Sequence, residues 1–319
     1  MEGNRSAERA IDITGSNITI RWLTIQNFTT DGIRAGGVSN TTIDSNRLLN
    51  IDSYEWDQAA ININDANSGP MPNTTVSHNY ISGAGYAGIG CWFGPGHDYS
   101  NLKIVYNEVY NTGKSVPDGG AIYCWTNNQL SPGALIANNI VGNYGNTRPI
   151  EVVSDPRWTR YSTKWNTTAG IYLDNAMRGV TVRNNIIYGV GHWPIFSSGG
   201  DSDQWQNNIL DITDSAYIGA YKSQQSAGPS STFTCNIVYS SSSTSSSRWF
   251  VNGNVADLNI ASNNYWSAVG TLSSVTDSAP VRADPRFANA AGHNYRFQGG
   301  SPMPCFQPID TSTVGPLPN

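Results

Sequence analysis

The amino-acid sequence predicts an all-β fold, a right-handed parallel β-helix formed by one domain over residues 1–319. Three observations predict it: an Asn-containing motif recurs along the chain, short segments with alternating apolar residues flank the motif, and no segment has the apolar spacing of an α-helix. The motif recurs at steps that fit a basic coil of roughly 20 to 28 residues with loop insertions, as in solenoid proteins. We expect the chain to begin within a coil and residues 283–319 to form an irregular C-terminal tail.

The repeated Asn is expected at one corner of every coil. Asn tolerates the left-handed backbone of tight turns, and stacked side-chain amides can hydrogen-bond to one another along a column. The abundance of Asn is therefore interpreted as structural. The predicted corner residues are Asn27, Asn46, Asn79, Asn107, Asn139, Asn185, Asn208, Asn236 and Asn264.

Two kinds of short strand accompany the motif, one before it and one after it. Residues 102–105 are an example of the first kind, and residues 120–125 and 169–174 are examples of the second. Successive side chains of a strand point to opposite faces, so aligning strands of the second kind predicts which residues face the interior. The predicted inward column is Ile33, Ile61, Ile89, Ile122, Ile171 and Ile195.

The same alignment predicts two outward columns rich in aromatic residues. One contains Trp92, Trp125 and Asp174, and the next contains Tyr123 and Tyr172. Sugar rings stack on aromatic faces and their hydroxyls bind carboxylates, so an exposed face of this kind is expected to bind a glycan. The alternative is that covering loops bury these rings as a second core.

A long insertion between the two richest strands, residues 143–168, is expected to contribute to the same site. It contains Glu151 and Trp158, and long loops on a rigid scaffold often form binding sites. His192, beside Trp193 in the following strand, is a further candidate contact for substrate, with a simple loop role as its alternative.

The cysteines are predicted to be buried thiols, because four cysteines in so long a chain are not a disulfide framework. Cys91 and Cys124 are expected to stack as free thiols in the core. Cys235 and Cys305 are expected to be thiols as well.

Composition excludes several classes of function. The net charge of −5 excludes a strongly cationic nucleic-acid binder, and 10 Trp, 16 Tyr and 8 Phe are too many aromatic residues for a disordered chain. No apolar run is long enough to span a membrane. No cofactor and no metal site are expected, because the spacing of the cysteines fits no zinc pattern and no acidic cluster suited to calcium is evident.

Two short motifs resemble known enzymes. Residues 118–123 and 170–174 are similar to paired motifs of β-helical glycoside hydrolases of families 141 and 120, and nearly the whole chain resembles the right-handed parallel β-helix superfamily of carbohydrate-active proteins. The resemblance to family 141 implies that Asp118 and Asp174 are catalytic carboxylates. The resemblance to family 120 implies that Asp174 is the nucleophile, but the acid of that family would fall on Ser197, which cannot serve as one.

The distance between the two carboxylates is the main question that the sequence raises. Asp118 lies seven residues before the level of Asp174, which is roughly 20 Å along an extended strand. Retaining and inverting glycosidases need carboxylates about 5 Å and about 6.5–9.5 Å apart, respectively. A sharp bend at Gly119 and Gly120 would be needed; without it, Asp118 would bond turn amides and Glu151 or Asp155 would become the partner.

The expected function is hydrolysis of O-glycosidic bonds by a carboxylate pair, with a polysaccharide lyase or a non-catalytic glycan-binding β-helix as the alternatives. The expected partner is an oligo- or polysaccharide, and an acidic one is disfavoured because the protein itself is negative. We expect a monomer that is extracellular or periplasmic. The residues expected to contact substrate are Trp92, Tyr123, Trp125, Tyr172, Trp158 and His192.

Overall fold

The computed structural model of the chain describes residues 1–3, 8–51, 57–64, 69–114, 118–127, 130–144, 167–215, 217–222, 230–242, 249–252, 257–269, 272 and 276–319. The chain winds through nine coils, and each coil contributes one strand to each of three nine-stranded sheets. Strands of the same sheet pair in parallel with their counterparts in the neighbouring coils, so the predicted parallel β-helix is confirmed.

The three sheets are named here in the order in which the chain enters them. The first sheet consists of β1 (Arg9–Ile13), β4 (Asp31–Ala35), β7 (Ala59–Asn64), β10 (Ala87–Trp92), β13 (Asp118–Trp125), β16 (Thr167–Asp174), β19 (Trp193–Ser198), β22 (Gly219–Lys222) and β25 (Phe250–Asn252). The second sheet consists of β2 (Thr19–Arg21), β5 (Thr42–Asp44), β8 (Thr75–Ser77), β11 (Lys103–Val105), β14 (Leu135–Ala137), β17 (Thr181–Arg183), β20 (Gln204–Gln206), β23 (Ser231–Thr234) and β26 (Leu258–Ala261). The third sheet consists of β3 (Thr24–Gln26), β6 (Arg47–Leu49), β9 (Tyr80–Ser82), β12 (Glu108–Tyr110), β15 (Ile140–Gly142), β18 (Ile186–Tyr188), β21 (Ile209–Asp211), β24 (Ile237–Ser240) and β27 (Asn264–Ser267).

The interior of the coils is filled by columns of stacked apolar residues. The predicted column is confirmed, because Ile33 pairs with Ile61, and the register continues through every predicted member with each side chain buried. The neighbouring inward column contains the stacked pair Cys91 and Cys124, which are buried free thiols as predicted.

A ladder of buried Asn side chains follows the second sheet. In each rung the side-chain oxygen of one Asn accepts hydrogen bonds from the backbone and side-chain amides of the Asn one coil earlier; Asn79 donates both to Asn107, at 3.0 Å each. Asp277 ends the ladder by accepting from the side chain of Asn263 at 2.8 Å. The members are Asn46, Asn79, Asn107, Asn139, Asn185, Asn208, Asn236 and Asn263.

The structure corrects the predicted ladder at both ends. Asn27 lies at a different corner, after β3 of the third sheet, and Asn263 rather than Asn264 occupies the last rung. The left-handed residue of this corner is also not the ladder Asn but the residue before it, such as His78 with φ 54° or Tyr106 with φ 59°. The ladder Asn therefore contributes through its side-chain hydrogen bonds and not through a left-handed backbone.

The C-terminal residues return along the outside of the coils. A short hairpin, β28 (Phe287–Asn289) and β29 (Asn294–Phe297), is connected by a 3-10 helix, Ala290–Gly292. After the hairpin, the backbone amide of Gly315 donates to the carbonyl of Tyr106 at 2.9 Å. Tyr106 lies several coils before the last coil of the β-helix. Cys235 and Cys305 form a disulfide that attaches this segment to the coils, so the prediction that both are thiols is wrong.

Candidate functional site

The outward columns of the first sheet have the predicted register. Trp92 pairs with Trp125, and Trp125 pairs with Asp174. In the adjacent column Tyr123 pairs with Tyr172, which pairs with Phe196. The two columns bring residues that are distant in sequence onto one outer face of the β-helix.

The rings on this face pack into a second core outside the coils. Tyr172 stacks on Phe196 with ring centroids 4.2 Å apart, and the edge of Tyr123 meets Tyr172 at 5.1 Å. The ring centroid of Trp193 lies 4.9 Å from that of Phe196, which extends the packing along the same strand. We refer to this group as the aromatic cluster; its members are Tyr86, Trp92, Tyr123, Tyr172, Trp193 and Phe196.

The burial of these rings corrects the exposure that the sequence predicts for them. Trp92, Tyr123 and Tyr172 are only 4%, 4% and 3% exposed, whereas Trp125 is half-buried at the edge of the aromatic cluster. The rings pack against one another, so they do not form an open stacking surface. The expected contact of these residues with substrate stays a prediction.

The strands of the first sheet bend sharply just before the inward Ile column. Side chains of an extended strand alternate between its faces, yet the consecutive residues Ala121 and Ile122 both lie in the interior core. Ala169, which is paired with Gly120, lies in the outer cluster. A Cβ atom at Gly120 would lie 3.0 Å from the Cβ atom of Tyr172. Tyr172 is paired with Tyr123, which lies three positions beyond Gly120. Three residues of an extended strand span about 10 Å, so Gly120 would be expected at that distance from Tyr172. The strand therefore departs from an extended path near Gly120, and the approach of Asp118 to Asp174 stays a prediction.

Asp174 is half-buried at the edge of the aromatic cluster, and both of its carboxylate oxygens accept hydrogen bonds. The phenol of Tyr123 donates to one carboxylate oxygen at 2.7 Å, and the backbone amide of Asn175 donates to the other at 2.7 Å. Burial raises the pKa of Tyr123 well above its usual value, and the neighbouring Tyr86 and Asp174 add to this effect. The Tyr123 phenol therefore keeps its proton and remains a donor to Asp174.

Asp118, also half-buried, faces the same cluster from the other side of the bend. Burial is the main cause that raises the pKa of Tyr172, and the negative charges of Asp174 and then Asp118 contribute further. The pKa of the Tyr86 phenol is raised by burial and also by both carboxylates. The two acidic residues thus act on the same phenols, although seven positions separate Asp118 from the strand level of Asp174.

His192 lies at the far edge of the cluster. Its ring meets the edge of Trp193 at 4.1 Å and lies 5.7 Å from Tyr217, and burial lowers its pKa. Glu151 and Trp158, and also Asp155, lie outside the described residues. The structure therefore brings together Asp118, Asp174, Trp92, Tyr123, Trp125, Tyr172 and His192 around one cluster.

Tyr86 is a member of the cluster that the sequence patterns do not identify. Its ring lies 5.9 Å from that of Tyr123 and 6.2 Å from that of Trp92. It precedes Ala87, where the aligned strand begins, so the alternation of side chains within the strand says nothing about it. A search for aromatic residues just before each strand would have found it.

The chemistry open to this site is that of two carboxylates beside a buried group of phenols. Within the part of the chain that the structure describes, no three His, Cys, Asp or Glu side chains are grouped to hold a metal ion. Among the same residues, no helix has the length and apolar character needed to cross a membrane.

Comparison with known proteins agrees with the architecture. No curated protein and no solved structure matches the chain. Residues 9–202, well over half of the chain, match the family described as the right-handed β-helix region. This match, together with three parallel sheets wound in nine coils, shows that the chain belongs to the right-handed β-helix family.

Proposed function

We propose that this protein is a carbohydrate-active enzyme that hydrolyses O-glycosidic bonds with Asp174 and Asp118. The observation that carries the proposal is the position of Asp174, a half-buried carboxylate held by the Tyr123 phenol beside an aromatic cluster that Asp118 also faces. Two carboxylates on either side of a sugar are the usual catalytic groups of glycosidases. The similarity of the segments around both residues to glycoside hydrolase families 141 and 120 supports the same assignment.

The two carboxylates have different proposed roles. Asp174 accepts hydrogen bonds from the Tyr123 phenol and the Asn175 amide, which hold its carboxylate in place, and it serves as the nucleophile or as the base that activates water. Asp118 serves as the acid that protonates the leaving oxygen. Trp125, half-buried and paired with Asp174, is the ring that contacts the sugar in this proposal. Glu151 stays the alternative partner of Asp174.

The proposed setting is an oxidising compartment, extracellular or periplasmic, with the enzyme acting as a monomer. The disulfide between Cys235 and Cys305 supports this location, because such bonds persist outside the cytosol.

A screen of oligo- and polysaccharides tests the proposal and separates it from its alternatives. New reducing ends without ultraviolet absorbance indicate a hydrolase. New ends accompanied by the absorbance of an unsaturated sugar indicate a lyase. Binding without either product indicates a non-catalytic glycan-binding protein, and absence of binding and of products from a broad panel contradicts the proposal.

A further inference from the structure

The outward column that contains Asp174 continues to a lysine two coils further along. Leu173 pairs with Ser197, which places Ser198 beside Asp174, and Ser198 pairs with Lys222. Adjacent strands lie about 4.8 Å apart, so Asp174 and Lys222 are separated by about 10 Å along the axis of the β-helix. Both side chains point away from the interior at the same level of their strands.

Lys222 differs from the arginines that are paired with buried carboxylates. Arg9 and Arg178 form ion pairs with Asp31 and Asp201, at 3.0 Å and 2.9 Å. Lys222 is half-buried, and its ammonium lies 5.5 Å from the ring centroid of Phe196, a member of the aromatic cluster. Among the residues that the structure describes, no carboxylate lies within ion-pair distance of Lys222. Within this part of the chain, a ring rather than a carboxylate positions its charge, and we take that charge as available to a ligand.

The surroundings of Asp174 are acidic, in contrast to the positive charge at Lys222. Burial raises the pKa of the Tyr123 phenol and Asp174 adds to it, and burial raises the pKa of the Tyr172 phenol and both Asp174 and Asp118 add to it. A uronate placed beside Asp174 would be repelled, because like charges interact strongly at short range where water is partly excluded. The face thus has an acidic end that suits a neutral sugar and a cationic end two coils away.

We propose that the site takes a glycan with a neutral sugar at Asp174 and an anionic group, a carboxylate or a sulfate, at Lys222. This inference rests on the proposed function, because it assumes that the glycan lies along the first sheet. It also qualifies the expectation that a negative protein disfavours acidic substrates. A net charge acts at long range and is screened over about 8 Å at physiological salt, whereas a half-buried lysine acts by contact.

The test uses a panel in which each neutral oligosaccharide is matched with versions carrying one uronic acid, the methyl ester of that acid, or one sulfate. Binding is measured with the Asp174→Asn variant, so that turnover does not alter the ligands. We expect an anionic version to bind about tenfold more tightly than the neutral and esterified versions, as one charge-assisted hydrogen bond would give. Comparing uronate with sulfate identifies the anionic group.

Two further variants in the Asp174→Asn background assign the preference to its residue. Adding Lys222→Gln should reduce the ratio of anionic to neutral binding to about one, whereas Lys103→Gln, an exposed lysine on the second sheet, should leave it unchanged. Equal binding of all versions, or a preference that survives Lys222→Gln, overturns this inference and leaves the proposed hydrolase intact. A panel from which no glycan is bound or cleaved overturns both.

Discussion

The phenol of Tyr123 donates a 2.7 Å hydrogen bond to Asp174, although 51 positions separate the two residues in the chain. The coil between them returns the backbone to the same sheet, where Trp125 and Asp174 are paired one strand apart. Tyr123 is buried and Asp174 is half-buried, so the bond joins the aromatic cluster to the carboxylate proposed as catalytic.

Tyr123→Phe should lower the catalytic rate while the protein stays folded. The change removes the donor to Asp174 and keeps the ring in the cluster, so the free energy of unfolding should fall by only about 1–2 kcal/mol. We expect kcat to fall by about tenfold or more, since one lost hydrogen bond to a charged group is of that size. Tyr110→Phe, which alters a phenol on the third sheet, is the matched control and should retain the wild-type rate. A Tyr123→Phe enzyme with normal kcat would contradict a role for this bond in positioning Asp174.

Gly90→Ala should destabilise the protein, because the Trp92 ring lies directly over Gly90. A Cβ atom at Gly90 would lie 2.1 Å from the Trp92 ring and 3.1 Å from the Cβ of Ala59. Overpacking of a dense site of this kind typically costs about 1–3 kcal/mol. Chemical denaturation provides the measurement, with Gly15→Ala as control, since nothing lies within 4 Å of a Cβ at Gly15. Equal stability of the two variants would show that Trp92 moves freely from its place in the cluster.

The inward columns could be predicted from the sequence, whereas the bend of the strands could not. Alternation along 169–174 and its counterparts is a period-two pattern, so it fixes which residues face the interior. The same pattern assumes an extended strand, on which Asp118 would lie roughly 20 Å from the level of Asp174. The contact between Gly120 and Tyr172 depends on backbone geometry within the strand, which alternation does not report.

The sequence left the burial of the aromatic rings open as an alternative, but the disulfide and the place of Tyr86 in the aromatic cluster could not be predicted, for a related reason. Cys235 and Cys305 are 70 residues apart, and they meet because the C-terminal segment runs back along the coils. Tyr86 packs in the aromatic cluster although it lies just before β10 and not within it. Both features depend on the path of segments between strands, and such paths carry no periodic signal.

Asn107→Ala should be strongly destabilising, because Asn107 makes hydrogen bonds to both neighbouring coils. Its side chain accepts from Asn79, donates to Asn139 and donates to the carbonyl of Val76, each at 3.0 Å. Leaving these buried partners unsatisfied should cost about 3 kcal/mol or more. Asn101→Gly is the control: Asn101 is exposed, and glycine adopts its φ of 59° without strain. Thermal or denaturant unfolding that ranks the two variants equally would contradict a structural role for the buried ladder.

Asp203→Asn should flatten the dependence of stability on pH. Asp203 is completely buried; burial raises its pKa well above the usual value, the Val180 amide opposes this and the nearby Asp201 adds to it. As pH rises above the carboxyl pKa of the unfolded chain, only the unfolded state releases the proton, so the wild type loses up to about 1.4 kcal/mol per pH unit until the folded pKa is reached. Stability is thus greatest at the acidic end of this window. Denaturation between pH 4 and pH 8 should show a smaller decline for Asp203→Asn than for the wild type or for the exposed control Asp214→Asn. Parallel declines in all three proteins would contradict this prediction.

Asp174→Asn provides the direct test of the proposed reaction. The amide keeps the shape of the side chain and can still accept from the Asn175 amide, while the hydrogen bond with Tyr123 can reverse its direction. The free energy of unfolding should therefore change by less than about 1 kcal/mol for this half-buried residue. Neither a nucleophile nor a general base can be replaced by a neutral amide, so hydrolysis should fall by several orders of magnitude. Asp118→Asn and Glu151→Gln, assayed alongside, identify the residue that acts as the acid. Substrates with good leaving groups need little protonation, so the variant that lacks the acid should lose least activity on those substrates. If Asp174→Asn keeps near-normal turnover, or loses stability while its activity persists, Asp174 is a structural residue and this face is not the site of glycoside hydrolysis.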